Sequence, residues 1–412
     1  MNTWRLLCLF ISISTIGCVS NDGSELPDLS ESIRNGEDLS VYPANPEISG
    51  RIEFVREQTF GGAGEVFFQA MLRPAVDESG RVYLGDRLLN VIHVYQPTGE
   101  YVTSMGAAGR GPGEFMDLSN IEIQSNRLYA FDPRQFRISI FNLDYALIEV
   151  SDESVSHAQV VIPLIDTILI HPEGFQDIRK PEDTFPPHIF VGGKDGTYIV
   201  QLRSNPVAYL HNAEYEGTVR YYRLDEDGFI HSDNIFEQAL PSPLFHSDQR
   251  FAPFVPPYIG SPLVAFSNRG ELYWTGAEEF LVSVHNTAGE FSHAFYHPFD
   301  RQMITLEEAR NSIQMAALRP SVVEPDLPDS WPALEEMFID DENRLWVSTI
   351  VEDFDIYEWW VLEDTGELIT KFEWPRDEPI ELVKNGYMYT RETEEETGLQ
   401  QIIRYRIEME ES

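Results

Sequence analysis

The stretch from Met105 to Asn142, MGAAGRGPGEFMDLSNIEIQSNRLYAFDPRQFRISIFN, constrains the fold of this chain more than any other. It opens on a glycine-rich loop, runs into an apolar strand, turns at Ser125-Asn126, continues through a second strand ending on Asp132, and resumes around Ile138 to Phe141. A tight turn between strands demands positive φ, which Gly and Asn accept most readily. The same pattern stands upstream at a constant offset. There Glu78-Ser79-Gly80-Arg81-Val82-Tyr83-Leu84-Gly85-Asp86 aligns without a gap on Gln124-Ser125-Asn126-Arg127-Leu128-Tyr129-Ala130-Phe131-Asp132, and Ile92, Val94 and Tyr95 fall on Ile138, Ile140 and Phe141. A repeat of this size cannot bury its faces alone, so the chain must stack several copies.

The turn-plus-aromatic-strand signature returns at Asp195-Gly196-Thr197-Tyr198, at Arg269-Gly270-Glu271-Leu272-Tyr273-Trp274, at Glu342-Asn343-Arg344-Leu345-Trp346-Val347 and at Asn385-Gly386-Tyr387-Met388-Tyr389. Together with the first two copies this gives six units, each a small sheet packed between its neighbours: an all-β, six-bladed β-propeller. A length of 412 residues suggests two or three domains, but the repeats merge residues 48–409 into one. Wider spacing places insertions at His157 to Pro187, Leu240 to Pro262 and Phe299 to Pro332. The last should hold a short helix between the late blades, because Thr305-Leu306-Glu307-Glu308 forms a capping box and Leu306, Ala309, Ile313, Ala316 and Ala317 keep helical spacing up to Pro320. Arg51 to Val55 reads as a lone strand ahead of the first full repeat. It is expected to complete the final blade of Tyr387 to Ile407 and close the ring.

The N-terminus carries Arg5 and an apolar run from Leu6 to Ile16, too short to span a bilayer, so residues 1–17 read as a signal peptide. Its end, Thr15-Ile16-Gly17-Cys18, resembles a bacterial lipoprotein box, with Thr15 where Leu is commoner. The resemblance implies that Cys18 is lipidated as the new first residue; an ordinary signal peptide with an incidental Cys is the alternative. The only other cysteine, Cys8, lies inside the segment to be removed, so the mature chain holds no intramolecular disulfide. Residues 18–47, rich in Ser, Asp, Glu, Asn and Pro, then form a flexible tether. The net charge of −40, from 69 acidic against 29 basic residues, repels nucleic acids and anionic membrane surfaces, leaving the lipid anchor as the membrane contact.

The segments GRGPGEF, NRLYAFD and FRISIFN resemble the NHL-type repeat, and the whole chain is similar to the six-bladed propeller lipoproteins of bacterial envelopes. The likeness is specific over residues 105–142, fair over 75–104, and a blade rhythm only from about residue 190 onward. It implies that Gly109, Gly111 and Gly113 join one blade to the next, that Asp132 is structural, and that Arg137 faces a loop. It also implies a binding scaffold or, more rarely, an enzyme: a lyase using histidine-bound metal, or a lactonase with acidic metal ligands.

Individual residues offer few chemical leads. The loop Gly109-Arg110-Gly111-Pro112-Gly113-Glu114 lacks the Lys-Ser or Lys-Thr of a phosphate cradle and has Glu114 where a dinucleotide fingerprint needs glycine. It is expected to be a compact turn in which Glu114 accepts backbone hydrogen bonds, with Arg110, Glu114 and Arg137 retained as ligand-facing candidates. The ten histidines show neither HxH nor HExxH spacing, so no metal site is assigned; zinc or calcium would need ligands from distant blades around the channel. Asp225-Glu226-Asp227-Gly228 reads as a hairpin turn rather than a calcium loop. There is no Gly-x-Ser-x-Gly elbow, and no catalytic residue is assigned. Trp274 and Trp346, at similar positions in their blades, read as core.

The insertion Leu240 to Pro262 mixes prolines with Phe245, His246, Arg250, Phe251, Phe254 and Tyr258. Stiff aromatic surface of this kind can hold a sugar or peptide at little ordering cost, which makes His246, Arg250, Phe251 and Tyr258 binding candidates. The competing expectation is that these aromatics plug the ring or pack on the helix near Thr305 to Leu318. The resulting expectation is a monomeric, lipid-anchored scaffold, periplasmic or on the outer-membrane surface, that binds a protein, peptide or glycan. A metal-dependent lyase or lactonase is the alternative.

Overall fold

Strands form where the repeat places them. The computed structural model describes residues 38–62, 66–144, 162–170, 188–192, 197–204, 217–225, 227–241, 254–395 and 397–411. Two strands precede the first full blade, β1 (Leu39–Val41) and β2 (Gly50–Gly61). Blade one is β3 (Ala75–Val76), β4 (Val82–Asp86), β5 (Val91–Tyr95) and β6 (Tyr101–Met105). Blade two is β7 (Asn120–Gln124), β8 (Arg127–Asp132), β9 (Arg137–Asn142) and β10 (Leu164–Leu169). Blade three is β11 (His188–Gly192), β12 (Thr197–Arg203), β13 (Thr218–Leu224) and β14 (Ile230–Ala239). Blade four is β15 (Leu263–Phe266), β16 (Leu272–Thr275), β17 (Leu281–His285) and β18 (Phe291–Tyr296). Blade five is β19 (Leu334–Ile339), β20 (Leu345–Ile350), β21 (Ile356–Leu362) and β22 (Leu368–Pro375). Blade six takes β23 (Ile380–Lys384), β24 (Tyr387–Thr393) and β25 (Gln400–Glu411) from the C-terminus and β2 from the N-terminus. The chain is a six-bladed β-propeller.

The sequence repeat is also a repeat of register. Val82 pairs with Tyr95 and Asp86 with Val91 in blade one; the equivalent Leu128 pairs with Phe141 and Asp132 with Arg137 in blade two. The turns ahead of these second strands carry the expected positive φ at Gly80, Asn126, Gly270, Asn343 and Asn385. Middle strands are buried on both faces, and successive side chains point opposite ways. In β8, Leu128 and Ala130 therefore pack toward blade one with Tyr83, Val94 and Phe115, while Tyr129 and Phe131 pack toward Tyr198 and Tyr222 of blade three. The other interfaces repeat the arrangement, with Trp360 between blades four and five, Trp346 and Trp359 between five and six, and Phe60 with Tyr389 between six and one.

Ring closure is more extensive than Arg51 to Val55. All of β2 pairs antiparallel with β25, from Gly50 opposite Glu411 to Gly61 opposite Gln401, with one register shift between Arg56 and Gln58. Structure also begins earlier than the tether of residues 18–47 predicted. β1 adds a fifth, parallel strand to blade four, Tyr42 stacks on His297 at 4.6 Å, and Ser49 N donates to Ile369 O of blade five. Residues 38–49 thus run along the outer edges of two blades and cap backbone groups that would otherwise be exposed. Residues 1–17 and Cys18 lie outside the described residues.

Two insertions differ from expectation. Part of His157 to Pro187 is β10, the outer strand of blade two, and the rest of that stretch beyond residues 162–170 lies outside the described residues. In the last insertion the capping box forms as predicted: Thr305 Oγ1 accepts from Glu308 N, and Glu308 Oε2 accepts from Thr305 N at 2.9 Å. The helix α1 (Leu306–Asn311) nevertheless stops well short of Leu318, and a 3-10 turn over Ala316–Ser321 follows. Ser312 closes the helix, its N–H donating to Glu308 O and its Oγ to Ala309 O, and Pro320, which has no N–H, sits inside the later 3-10 turn. Ala309, Ile313, Leu318, Val322 and Trp331 still share a small core with Tyr258 and Ile350, seating the insertion on blade five.

Candidate functional site

Antiparallel order sorts the connections onto two faces. Turns from the first to the second strand of each blade lie on one face; the links from each outer strand to the next inner strand lie on the other. The Met105–Ser119 loop, the described ends of the Leu240 to Pro262 insertion, the Phe299 to Pro332 insertion and the Arg376 link therefore share one side, the insertion face.

The turn face is stitched for stability. Asp340 is 2% exposed; its Oδ1 accepts from Glu342 N and Arg344 N, and its Oδ2 from Arg344 Nε at 2.7 Å and Trp346 Nε1 at 2.9 Å. Asp77 repeats this clamp with Ser79 N, Arg81 N, Arg81 Nε and Tyr83 Oη. Side chains then tie blade to blade: Asn268 Nδ2 donates to Asp341 O, Asn385 N to Asp341 Oδ2, Asn385 Nδ2 to Asp77 O, and Arg81 to Leu143 O.

On the axis, the inner strands β3, β7, β15, β19 and β23 line a cavity of about 660 Å³. At its insertion-face end, Glu381 is held by Arg391 at 2.9 Å and by the more exposed Arg73 at 3.4 Å. Glu336, on the neighbouring inner strand, feels the same charges. Burial pushes its carboxyl up to about 7, partly opposed by Arg73 and reinforced by Glu381 and Glu335. At the other end Lys384 is drawn down by burial, against the pull of Asp341, Asp77 and Glu78.

Beside the insertion-face end, a second cavity of about 490 Å³ opens between the insertion and blade five, with Asn311, Trp331, Glu335, Phe354, Tyr357 and Arg376 in its lining. Arg376 comes from the link between blades five and six. Its guanidinium lies 4.3 Å from the Tyr357 ring centre and 5.1 Å from that of Phe354, and its Nε donates to Ile356 O at 2.9 Å. Nη2 of Arg376 and Nε1 of Trp331, a residue only 3% exposed, are buried without a hydrogen-bond partner. Glu335 faces this cationic group; burial raises its carboxyl above the usual range and Arg376 counters the shift. The cavity therefore combines an aromatic wall and a carboxylate acceptor with two unsatisfied donors buried just behind its lining.

The sequence-predicted candidates fall elsewhere. Glu114 Oε2 accepts from Gly111 N at 2.7 Å, and Arg137, 6% exposed, donates to the carbonyls of Arg110 and Glu114, so both hold the glycine loop together. Asp132 fixes the same loop by accepting from Met116 N and Gln135 N. Arg110 is exposed beside Met116 and Arg134 in a surface depression on this face. Tyr258, 1% exposed, packs against Trp331 and forms insertion core, as does the partly buried Phe254. His246, Arg250 and Phe251 lie outside the described residues. Asp225 accepts from Asp227 N and Phe229 N, making its segment the hairpin turn predicted. Trp346 is core, whereas Trp274 is half-buried and bonded to Gln238. Among the described residues no three His, Cys, Asp or Glu side chains come together as a metal-binding group, so the ligand set of a lyase- or lactonase-type metal is not assembled from them.

Trp331, Glu335, Glu336 and Arg376 were missed by the sequence reading. One signal was present: Glu335-Glu336 places two acids in an inner strand that is otherwise apolar, Ala333-Leu334 before and Met337-Phe338-Ile339 after.

Residues 75–170 match the model of a family described as 6-bladed beta-propeller. No curated protein matches the chain. Among solved structures it is similar to a member of a domain family of unknown function from Bacteroides vulgatus, at 11% identity and a TM-score of 0.47 over 88% of this chain and 100% of that one. It is also similar to a putative exported protein from Bacteroides fragilis, at 12% identity and a TM-score of 0.44 over 90% and 99%. A third is the PQQ-bound aldose sugar dehydrogenase from Streptomyces coelicolor, at 12% identity and a TM-score of 0.43 over 88% and 100%. At such identity no activity is carried over from them.

Proposed function

We propose that this six-bladed β-propeller is an exported, lipid-anchored binding scaffold of the bacterial envelope that takes a protein, peptide or glycan partner on its insertion face. The observation that carries the reading is the 490 Å³ cavity, where Trp331 and Arg376 keep buried donors without partners beside the Glu335 carboxylate. A buried donor left unpaired costs about 1–3 kcal/mol, a cost that a ligand acceptor relieves. The rigid ring supports this use, since a site built on a stitched scaffold loses little freedom when it binds. The address rests on residues 1–18, whose apolar run and Thr15-Ile16-Gly17-Cys18 end resemble a lipoprotein signal.

The test is retention of an envelope component by the immobilised full chain. Saturable retention that is lost in a Trp331→Phe/Arg376→Gln double variant supports the scaffold. No saturable retention, or retention indifferent to the double variant, refutes the site.

A further inference from the structure

Resting on the scaffold reading, we infer that the cavity between the insertion and blade five is a subsite for one ring of a neutral saccharide. The argument begins with what the cavity offers. Glu335 supplies a carboxylate and Asn311 an amide able to donate and accept, while just behind the lining Arg376 Nη2 and Trp331 Nε1 are donors without partners. Ligands that both donate and accept around a compact body satisfy such a set. Sugar hydroxyls do so, because each is one donor and two acceptors.

Charge narrows the class further. The lining holds Glu308 and Glu335 against Arg376, within a chain of net charge −40. An acidic sugar would set its carboxylate against these two, and a cationic ligand would meet the buried guanidinium; a neutral polyol incurs neither repulsion. Apolar walls complete the fit. Phe354 and Tyr357 are partly exposed and give the aromatic surface on which the C–H face of a pyranose packs, with the buried Trp331 ring supporting Phe354 from 5.2 Å. A volume of about 490 Å³ lies within the range of small-molecule sites.

A peptide is the competing occupant, and the backbone argues against it. Extended peptides dock by adding a strand to a free sheet edge, and the unpaired edge of β19 belongs with the inner strands that line the axial cavity rather than with this one. The available polar groups belong to side chains from three separate segments, converging on a ring-sized volume.

The experiment is a calorimetric titration of the full chain with a fixed panel: neutral gluco-, galacto-, manno- and N-acetylglucosamine oligosaccharides, a uronic acid oligomer, and a mixed peptide pool. The expected result is saturable binding of at least one neutral oligosaccharide. Arg376→Gln and Glu335→Gln should each weaken it by about tenfold or more, the equivalent of one lost hydrogen bond to a charged group. Trp331→Phe keeps the ring's bulk and should weaken it likewise. Arg110→Ala, elsewhere on the same face, should leave it unchanged. Thermal midpoints of the variants separate lost binding from lost folding. Preferential binding of the uronic acid or the peptides, binding indifferent to all three cavity variants, or no neutral sugar bound would overturn the saccharide assignment. If that occurs while the envelope partner is still retained through Trp331 and Arg376, the scaffold reading stands alone; if retention also fails, both fall.

Discussion

Replacing Asp340 with alanine should cost the propeller about 3–6 kcal/mol, because one carboxylate satisfies four donors at the turn face. The largest part is Trp346: its ring is fully buried, so its indole N–H would remain in the core without a partner, at about 1–3 kcal/mol. Arg344 would lose its 2.7 Å contact and keep only the exposed Glu342, at 3.1 Å, as an ion-pair partner, adding about 1–2 kcal/mol. The backbone N–H groups of Glu342 and Arg344 lie at a partly exposed turn where water can replace the carboxylate, so their share is about 0.5 kcal/mol each. Asp340→Asn preserves one acceptor oxygen and should lose roughly half as much. The assay is urea unfolding of the full chain followed by tryptophan emission, with Asp77→Ala run in parallel. Asp77→Ala should lose less, since the Tyr83 hydroxyl can rotate whereas the indole N–H cannot. A midpoint for Asp340→Ala within about 0.5 kcal/mol of the parent would refute the clamp as a stabilising device.

Two of the perturbed side chains give opposite pH dependences. Glu336 is raised to about 7, so the native state holds a proton that the unfolded chain releases near its ordinary value of 4.5; stability falls as pH rises between them. Glu336→Gln should therefore gain on the order of 1–2 kcal/mol over the parent at pH 8 and little at pH 4.5, and a gain independent of pH would contradict this. His297 is lowered to about 4 by burial, so stability is lost as pH falls from 6.5 to that value; the slope should vanish in His297→Asn. Deleting Gly50–Gly61 removes the strand that closes blade six and should lower the thermal midpoint sharply, by 10 °C or on the order of it, or abolish folding; an unchanged midpoint would dismiss ring closure as a source of stability. At Gly366, φ is +93° and a Cβ would meet the Phe295 ring, so Gly366→Ala should cost about 2–4 kcal/mol by chemical denaturation, and a neutral effect would count against that packing.

Much of the ring was legible because its determinants are local. The offset that aligns residues 78–86 on 124–132 reappears as equivalent strand pairings, and the Gly and Asn positions of the turns adopt the positive φ their chemistry allows. Thr305 and Glu308 likewise form a capping box from residues within one helical turn. Two segments departed from their local signals. Ala316 and Ala317 fit a helix by spacing, yet the chain there makes a 3-10 turn; Leu39–Val41 lies in a polar stretch, yet it pairs with β18.

The candidate site was almost invisible for the same reason. Trp331 belongs to a proline-punctuated insertion, Glu335 to an inner strand and Arg376 to an interblade link, and no short motif joins them. Their polar groups gain meaning only from being buried, and burial is set by which segments the closed ring brings together. The sequence by itself determined the number of blades, the turns and the closing strand, because periodicity and backbone preference act over a few residues. Tertiary structure alone decided that Glu114 and Arg137 serve their own loop while Arg376 and Trp331 face a cavity with donors to spare, because hydrogen-bond satisfaction depends on neighbours distant in the chain.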